Sequence, residues 1–185
     1  MRVQEEMSAS RSTSKVCAGI SPHGKSLHVL DEIAAGEVII GLDGHVVATP
    51  DKYTVQIDEG RHLAPNGSIW AFANHSCLPN ARIDFAQFAL VALTAIRPGE
   101  DVTFNYLTTE MDMAAAFKCG CGAPGCAGMI AGFRHLSRSQ KAALRPWLSD
   151  SLARAFELSV ANEEDEAMAD QERAAPRRDG GQARG

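Results

Sequence analysis

The positions of the cysteines constrain this chain more than any other feature of its sequence. Three of its five cysteines lie within eight residues, in Cys119-Gly-Cys121-Gly-Ala-Pro-Gly-Cys126. The small residues between them let the backbone curl so that three thiolates can face one point. Structural zinc is nearly always held by four ligands in a tetrahedron. The pattern therefore predicts a structural zinc site that takes one further ligand from elsewhere in the chain.

Three residues are candidates for that fourth ligand. Cys77 lies in the run Asn74-His-Ser-Cys-Leu-Pro-Asn80, the densest group of chemically capable side chains in the sequence. His75 belongs to the same run, and His135 follows the cysteine knuckle closely. If Cys77 is the ligand, the middle of the protein is tied to its C-terminal third, and the residues between them wrap around a closed site.

Composition and charge argue against several classes of protein. The chain has 185 residues, 45% of them hydrophobic, and a formal net charge of −5, which fits one domain with its own core. Because no basic stripe is visible, direct nucleic-acid binding is disfavoured. No apolar run reaches the roughly 20 residues of a membrane span, and the polar N-terminus lacks the apolar core of a secretory signal. We expect a reducing compartment, cytoplasmic or nuclear, in which cysteines bind metals.

Short apolar runs separated by glycine and proline turns fill the chain up to residue 106. The predicted strands cover residues 27–33, 38–42, 45–48 and 53–58. Asp43-Gly44 predicts a hairpin. Arg97-Pro-Gly-Glu100 predicts a second hairpin, between residues 85–95 and 101–106. This pattern indicates a mostly β fold with no long helix before residue 106.

The C-terminal third has a different texture. Apolar residues at helical spacing predict helices that begin near Ser137 or Ser139, and Pro146 divides them into two short ones. Beyond Val160 the chain is acidic, then rich in arginine and glycine, which predicts disorder. The predicted organisation is a flexible tail at 1–14, a β domain at 15–107, a zinc segment at 108–132, a helical segment at 133–158 and a disordered tail at 159–185.

Three motifs, in order, resemble one protein family. Asn74 to Asn80, Gly99-Glu-Asp-Val-Thr-Phe-Asn-Tyr106 and the cysteine knuckle look like the SET-domain lysine methyltransferases with a post-SET zinc segment. The resemblance covers roughly residues 16–132 and implies a SET-domain fold of short strands, with a knot-like crossing of the two central motifs beside the active site. It also implies one structural zinc ion, and it favours Cys77 over His135. The implied ligands are Cys77, Cys119, Cys121 and Cys126.

The same resemblance implies that S-adenosylmethionine is the methyl donor. The implied cofactor-binding residues are Gly24, Lys25, Ser26, Asn74, His75 and Tyr106. Gly24-Lys25-Ser26 corresponds to the family's Gly-x-Gly turn, with Ser26 in place of the second glycine. This departure motivates an alternative, a catalytically inactive SET-like module that binds a peptide or the cofactor.

Tyr106 matches the catalytic tyrosine of the family. Methyl transfer from a sulfonium to an amine is an in-line displacement that needs a neutral lysine, whose free pKa is about 10.4. A narrow apolar channel beside a sulfonium disfavours the charged amine, and a phenol can align the neutral one. The resemblance places Tyr53 and Phe104 in this channel. Phenylalanine at position 104, where a tyrosine hydroxyl would restrain the amine, predicts a capacity beyond monomethylation.

The predicted function is therefore protein-lysine N-methylation with S-adenosylmethionine as the donor. We expect a protein substrate with an exposed lysine in a basic segment, no direct nucleic-acid or membrane partner, and a monomer or homodimer. Besides the inactive module, a zinc-stabilised interaction domain would explain the cysteines. It would leave the run from Gly99 to Tyr106 without a purpose.

Overall fold

A computed structural model describes residues 15–22 and 24–174, with side chains up to residue 162. Within this part, short strands dominate and two α-helices follow them, so the predicted mostly β fold is confirmed. The strands are β1 Val16–Ser21, β2 Gly24–Val29, β3 Val38–Gly41, β4 His45–Val47, β5 Val55–Asp58, β6 Arg61–Ala64, β7 Asn74–His75, β8 Ala81–Asp84, β9 Ala89–Ala92, β10 Thr103–Phe104, β11 Phe117–Lys118 and β12 Met129–Ile130. The predicted tail at 1–14 lies outside the described residues.

The strands combine into several small sheets. β1 pairs with β2, and β11 with β12, both antiparallel. Two three-stranded antiparallel sheets have the orders β3-β9-β8 and β4-β6-β5. β7 and β10 form a parallel pair. This pairing brings Tyr106, two residues beyond β10, next to His75, which is 31 residues earlier in the chain. Three of the pairs, β3 with β9, β4 with β6 and β7 with β10, join strands that are not consecutive in the sequence.

Two apolar clusters hold these sheets together. The larger contains fully buried side chains from the β domain, among them Leu27, Ile33, Leu90, Ile96 and Val102. The smaller joins the segment after Tyr106 to the C-terminal part of the chain through Leu107, Ile130, Phe133, Leu152 and Phe156. Tyr106 packs against both clusters and therefore lies where the β domain meets the C-terminal part.

Both predicted hairpins are wrong. The strands on either side of Asp43-Gly44 do not pair with each other, because β3 pairs with β9 and β4 pairs with β6. The glycine is needed for a close approach instead, since a Cβ on Gly44 would lie 2.1 Å from the carbonyl oxygen of Ala64. The turn at 97–100 does form, but β9 pairs with β3 and β8, while β10 pairs with β7.

A hairpin that the sequence does not predict joins β8 to β9 through residues 85–88. The Asp84 carboxylate accepts the backbone N–H groups of Ala86 and Gln87, at 3.0 and 3.1 Å. Phe88 then adopts a φ of 48°. The side chain of Asp84 therefore organises a turn that carries neither glycine nor proline.

Two turns of the same kind meet across the core. In Ile33-Ala-Ala-Gly-Glu37 and in Ile96-Arg-Pro-Gly-Glu100, the glutamate N–H donates to the carbonyl three residues earlier, at 3.1 Å in both. In each, the glutamate side chain accepts the N–H of that earlier residue, at 3.0 and 2.7 Å. Ile33 and Ile96 exchange both backbone hydrogen bonds, at 2.9 and 3.0 Å. Related sequences thus form related turns that stabilise each other.

Helix α1, Arg138–Leu144, begins with a capping box. The Ser137 hydroxyl accepts the N–H of Gln140, and the Gln140 side chain accepts the N–H of Ser137. This confirms Ser137 as the cap. Pro146 lies in the short 3-10 turn Arg145–Trp147 between the two helices, as predicted.

Helix α2, Asp150–Ala174, is longer than the sequence predicts. Its first turns are anchored by the buried side chains of Leu152 and Phe156. The backbone remains helical beyond Val160, where the acidic composition predicts disorder. Alanine, glutamate, methionine and glutamine are strong helix formers, and they fill this stretch. The remainder of the predicted tail, residues 175–185, lies outside the described residues.

Candidate active site and metal centre

The candidate active site is built on the parallel pair of β7 and β10. Asn74 lies opposite Thr103, and His75 lies opposite Phe104. This register places Tyr106 against His75, and the Tyr106 backbone N–H donates to His75 Nδ1 at 3.2 Å. The two central motifs of the sequence are therefore adjacent in space.

Asn80 fixes the position of the second motif relative to the first. Its Nδ2 donates to the carbonyl of Asp101 at 2.8 Å, and its Oδ1 accepts the N–H of Thr103 at 2.8 Å. The N–H of Ser76 donates to the carbonyl of Phe104 at 3.1 Å. The carboxamide thus satisfies a donor and an acceptor of the neighbouring segment, and its role is structural.

The Tyr106 hydroxyl is neutral and enclosed. It donates to the carbonyl of Ala73 at 2.9 Å. The ring centroid lies 4.7 Å from that of Phe104 and 5.3 Å from that of His75. Burial, with a smaller effect from the carboxylate of Glu110, raises the pKa of Tyr106 well above its ordinary value. The phenol therefore stays protonated and offers hydrogen bonds as a neutral group.

His75 connects Tyr106 to the cysteines. Because Nδ1 accepts the Tyr106 N–H, Nε2 carries the proton of the neutral ring and faces Cys77 Sγ at 3.3 Å. Burial lowers the pKa of His75 to about 4. The ring also packs edge-on against Phe117, with 5.7 Å between centroids. An imidazole whose Nδ1 is already occupied cannot readily serve as a general base.

The turn that corresponds to Gly-x-Gly lies beside Asn74. Asn74 Nδ2 donates to the carbonyl of Lys25 at 3.0 Å. Gly24 has a φ of 103°, and the space that a side chain would take there is open. The Lys25 ammonium lies 4.7 Å from the ring centroid of Phe72. Gly24, Lys25, Asn74 and His75 therefore form one continuous part of the site.

Ser26 is separate from that surface because it is fully buried. Its Oγ lies 3.0 Å from His28 Nε2, and His28 Nδ1 contacts a carboxylate oxygen of Asp101. Gly19 leaves room for this arrangement, since a Cβ there would lie 1.6 Å from the His28 ring. Among the described non-glycine residues a positive φ occurs only at Phe88, so the serine occupies the glycine position without backbone strain.

Tyr53, Phe104 and Tyr106 line one pocket, as expected for a substrate channel. Tyr53 lies in a turn ahead of β5, where the Asp51 carboxylate accepts its backbone N–H at 2.7 Å. The pocket is mainly apolar, and its remaining lining includes Val55, Trp70, Ala71, Ala73, Glu110 and Met113.

Trp70 and Glu110 are among the pocket residues that sequence reasoning missed. Trp70 is buried, and its Nε1 donates to the carbonyl of Asp43 at 2.8 Å. Glu110 is only 7% exposed, and burial raises its pKa to about 7. The sequence offered one signal for Glu110, its position four residues after Tyr106. In a helical turn, this spacing places the two side chains on the same side. The sequence did not indicate that this turn would be buried.

Four cysteine sulfurs meet at the candidate metal centre. The Sγ atoms of Cys77, Cys119, Cys121 and Cys126 lie within 4.8 Å of one another. Cys77 Sγ lies 3.9 Å from Cys119 Sγ and 3.8 Å from Cys126 Sγ. Four sulfurs bound at ~2.3 Å in a tetrahedron are about 3.8 Å apart. The donor set and its spacing therefore fit a metal ion.

The surroundings of the cluster also suit thiolate ligands. The backbone N–H groups of Cys121 and Gly128 donate to Cys119 Sγ and Cys126 Sγ, at 3.5 and 3.4 Å. Such outer hydrogen bonds orient and stabilise metal-bound ligands. Burial raises the pKa of Cys77 to about 12, so in the absence of a cation this sulfur stays protonated.

The other candidate ligands lie outside the group of sulfurs. His135 Nε2 bonds to Asp112 Oδ1 at 2.9 Å. His75 faces Cys77 but is engaged by Tyr106 on its other nitrogen. Cys17, in β1, is half-buried and does not belong to the cluster. The geometry thus favours Cys77 as the fourth ligand.

Comparison with known proteins agrees with this site. The SET domain family model matches residues 24–107, the segment that carries the turn, β7, β10 and Tyr106. The methyltransferase flvH of Aspergillus flavus is 32% identical over 162 residues, which cover 84% of this chain and 89% of that protein. The chain belongs to the SET-domain family. Prediction of a SET-domain lysine methyltransferase from the three motifs is confirmed.

Other SET-domain relatives match over shorter parts of their length. The histone-lysine N-methyltransferase, H3 lysine-4 specific, of Saccharomyces cerevisiae is 29% identical over 132 residues, 58% of this chain and 12% of that enzyme. The H3 lysine-36 specific enzyme of Yarrowia lipolytica is 29% identical over 132 residues, 59% of this chain and 17% of that enzyme. The family membership supports S-adenosylmethionine as the methyl donor.

One solved structure shares the fold. The crystal structure of KRYPTONITE in complex with mCHH DNA, H3(1-15) peptide and SAH aligns with a TM-score of 0.50 and 23% identity, over 62% of this chain and 29% of that one. The SET-domain fold is thereby supported independently of the sequence motifs. In residues 15–22 and 24–174 no helix is both long enough and apolar enough to cross a bilayer.

Proposed function

We propose that this SET-domain protein transfers methyl groups from S-adenosylmethionine to a lysine of a protein substrate, with Tyr106 as the catalytic residue. The observation that carries the proposal is the position of Tyr106. Its hydroxyl bonds to Ala73, a residue of the pocket lining, and its backbone bonds to His75 on the cofactor side. A neutral phenol between these two parts can align an amine with a methyl group.

The residues around the Gly24 turn fit the methyl donor, which supplies a methyl group on a positively charged sulfur. Asn74 Oδ1 has no hydrogen-bond partner among the described residues, so it can accept from an amino group. The exposed ammonium of Lys25 suits a carboxylate. Phe117, which is 36% exposed and packs on His75, offers an aromatic face to a nucleobase. These groups would hold the amino-acid and adenine ends.

The pocket suits a lysine side chain that has lost its charge. Apolar walls with Tyr53 and Phe104 disfavour an ammonium ion unless a counter-charge is present. Phe104 carries no hydroxyl, so it places no hydrogen-bonding group that would restrain the amine. We therefore infer that the protein adds more than one methyl group.

We propose zinc as the ion of the four-cysteine cluster, with a structural role. Four thiolates leave no open coordination position for a reacting water. Free thiols in this cluster require a reducing compartment, in keeping with a cytoplasmic or nuclear protein. The ion would join Cys77 of the β7 motif to the knuckle at Cys119–Cys126.

The substrate we propose is a protein with an exposed lysine in a basic segment. The enzyme itself is proposed to be a monomer or a homodimer. Two relatives are named for lysines of histone H3, and the net charge of −5 favours a basic partner. Histone H3 is therefore the first substrate to test. No observation in the described residues favours nucleic acid or a membrane as a partner.

The alternative of a catalytically inactive module loses its motivation, because Ser26 is accommodated without strain. The decisive experiment transfers a labelled methyl group from S-adenosylmethionine to histone H3 and a set of basic proteins, with Tyr106→Phe in parallel. Label on lysine with the wild-type protein alone supports the proposal. Cofactor binding without any transfer supports the binding module.

A further inference from the structure

Glu110 is a buried acid in the substrate pocket. Its side chain lines the same pocket as Tyr53, Phe104 and Tyr106, although only 7% of the residue is exposed. Glutamates are almost never buried without a partner. Among the described residues, no lysine, arginine or histidine forms an ion pair with Glu110. The pocket therefore contains a buried carboxyl group that no positive side chain of the described residues neutralises.

One oxygen of this carboxylate has a structural role. Oε1 accepts the backbone N–H of Gln56 at 2.8 Å and the hydroxyl of Thr109 at 3.1 Å. The Gln56 side chain in turn accepts the N–H of Met111 at 2.9 Å. This reciprocal arrangement fixes Glu110 between β5 and the segment after Tyr106. Gln56 thus holds the Glu110 carboxylate in one orientation.

The other oxygen has no such role. Oε2 has no hydrogen-bond partner among the described residues, although a carboxylate oxygen can accept two. A charge-assisted hydrogen bond from an ammonium group would satisfy it. The neighbouring Tyr106 hydroxyl already donates to Ala73 and leaves this oxygen available.

We propose, on the basis of the proposed methyl transfer, that Glu110 binds the substrate amine as an ammonium ion and accepts one of its protons. The proton passes from the amine nitrogen to Oε2, which leaves a neutral amine and a neutral carboxyl group. The nitrogen lone pair then forms the bond to the methyl carbon, while the electron pair of the broken carbon–sulfur bond stays on sulfur. The product is a methylammonium ion, and Glu110 returns its proton to water at the pocket opening.

Other groups in the pocket, and the nearby His75, are less suited to this role. The Tyr106 phenol stays protonated, and His75 Nδ1 is occupied by the Tyr106 N–H. Asp51 and Lys52 are exposed at the edge, where water screens them. Burial raises the pKa of Glu110 to about 7, and a proton acceptor works best when its pKa is near the working pH.

The first test measures binding of n-butylamine, which reproduces the end of a lysine side chain, to the full-length protein without methyl donor. Wild type should bind n-butylamine about tenfold or more tightly than n-butanol, since hydrogen bonds to charged groups are the stronger ones. Glu110→Gln should lose this preference. Its amide oxygen can still accept from Gln56 and Thr109, which preserves the fold. Glu32→Gln, the same change at an exposed acid, should keep the preference.

The second test is the pH dependence of kcat/KM for methyl transfer. For the wild type, kcat/KM should fall as Glu110 becomes protonated below about pH 7. The Glu110→Gln variant should lose most of its activity, and its remaining kcat/KM should not show this fall. Equal affinity of the wild type for amine and alcohol would overturn the inference, and so would a Gln variant with an unchanged preference and profile. An intact amine preference without methyl transfer by wild type would instead contradict the proposed function.

Discussion

His75 Nδ1 lies 3.2 Å from the backbone nitrogen of Tyr106 and accepts its hydrogen. On the other side of the ring, Nε2 lies 3.3 Å from the sulfur of Cys77. Tyr106, the proposed catalytic residue, and the candidate metal centre are therefore joined through one imidazole. A change at the cysteines should reach Tyr106 through this ring.

Cys126→Ser should remove the metal and destabilise the protein by more than about 3 kcal/mol, because the loss of a metal belongs to the largest class of mutational effects. The expected readouts are a zinc content near zero by atomic emission and a lower urea midpoint. Methyl transfer should fall as well. Cys17→Ser, a cysteine outside the cluster, is the matched control and should keep the metal. Full metal content in Cys126→Ser would show that this sulfur is not a ligand.

Tyr106→Phe should reduce methyl transfer by about 100-fold or more, because it removes the hydroxyl that aligns the amine. The lost hydrogen bond to Ala73 should cost only about 1 kcal/mol of stability. Single-turnover rates, unfolding curves and metal content separate these effects. Tyr53→Phe, which keeps the ring in the same pocket, is the matched control. Transfer by Tyr106→Phe at the wild-type rate would exclude Tyr106 as the catalytic residue.

Phe104→Tyr should shift the products towards monomethyllysine. The added hydroxyl would bond to the amine or to a water beside it, and so restrain the rotation that a second transfer needs. Mass spectrometry of the products at equal extents of reaction tests this. If the wild type itself produces only monomethyllysine, the inference from Phe104 is wrong.

Ser26→Ala should lower stability by about 1 kcal/mol, because the part-buried hydrogen bond between Ser26 Oγ and His28 Nε2 is lost. Affinity for S-adenosylmethionine should stay within about twofold, since Ser26 has no exposed atoms. Calorimetric titration and urea unfolding measure the two quantities, and Lys25→Ala serves as the contrast that should weaken the cofactor. A large loss of cofactor affinity in Ser26→Ala would give the serine a direct role.

Glu110→Gln should change how stability depends on pH. Because burial raises the pKa of Glu110 from 4.5 to about 7, the folded protein retains a proton that the unfolded chain has lost between these values. The contribution of this proton to the free energy of unfolding is complete below pH 4.5. It disappears as the pH rises through 7, which lowers the free energy of unfolding by roughly 3 kcal/mol. Wild type should therefore lose about this much more stability than the variant across that range. Parallel curves for both proteins would contradict the raised pKa.

Burial also lowers the pKa values of His75 and His62, and this effect on the pH dependence is common to both proteins. The comparison should therefore use the difference between wild type and variant, measured by urea unfolding from pH 5 upwards. Glu32→Gln again controls for the removal of an acid.

Local features of this protein could be read from its sequence, whereas long-range pairing could not. The capping box at Ser137 and Gln140 and the glycine turn before Glu100 depend on residues a few positions apart. The sequence predicts that β9 pairs with residues 101–106, whereas β9 pairs with β3 and β8. β3 lies about 50 residues before β9 and meets it only in the folded chain. Asp84 closes a hairpin by its side chain, without the glycine or proline that marks most turns.

The site was predictable to the extent that it is built from motifs. The four cysteines and the pair of His75 with Tyr106 lie in runs of unusual residues. Glu110 lies in an ordinary segment, and its burial follows from Gln56, which is 54 residues away. A pattern within one window cannot indicate a contact of this kind.

The buried pairing of Ser26 with His28 makes three positions interdependent. A glycine at position 26 would leave the imidazole nitrogen unsatisfied, and any side chain at position 19 would displace the ring, since its Cβ would lie 1.6 Å away. Conversely, a chain that loses the histidine has no partner for the serine. Substitutions here should therefore show epistasis: Gly19, Ser26 and His28 are expected to vary together among descendants of this sequence, and each single replacement should be less tolerated than the combined one.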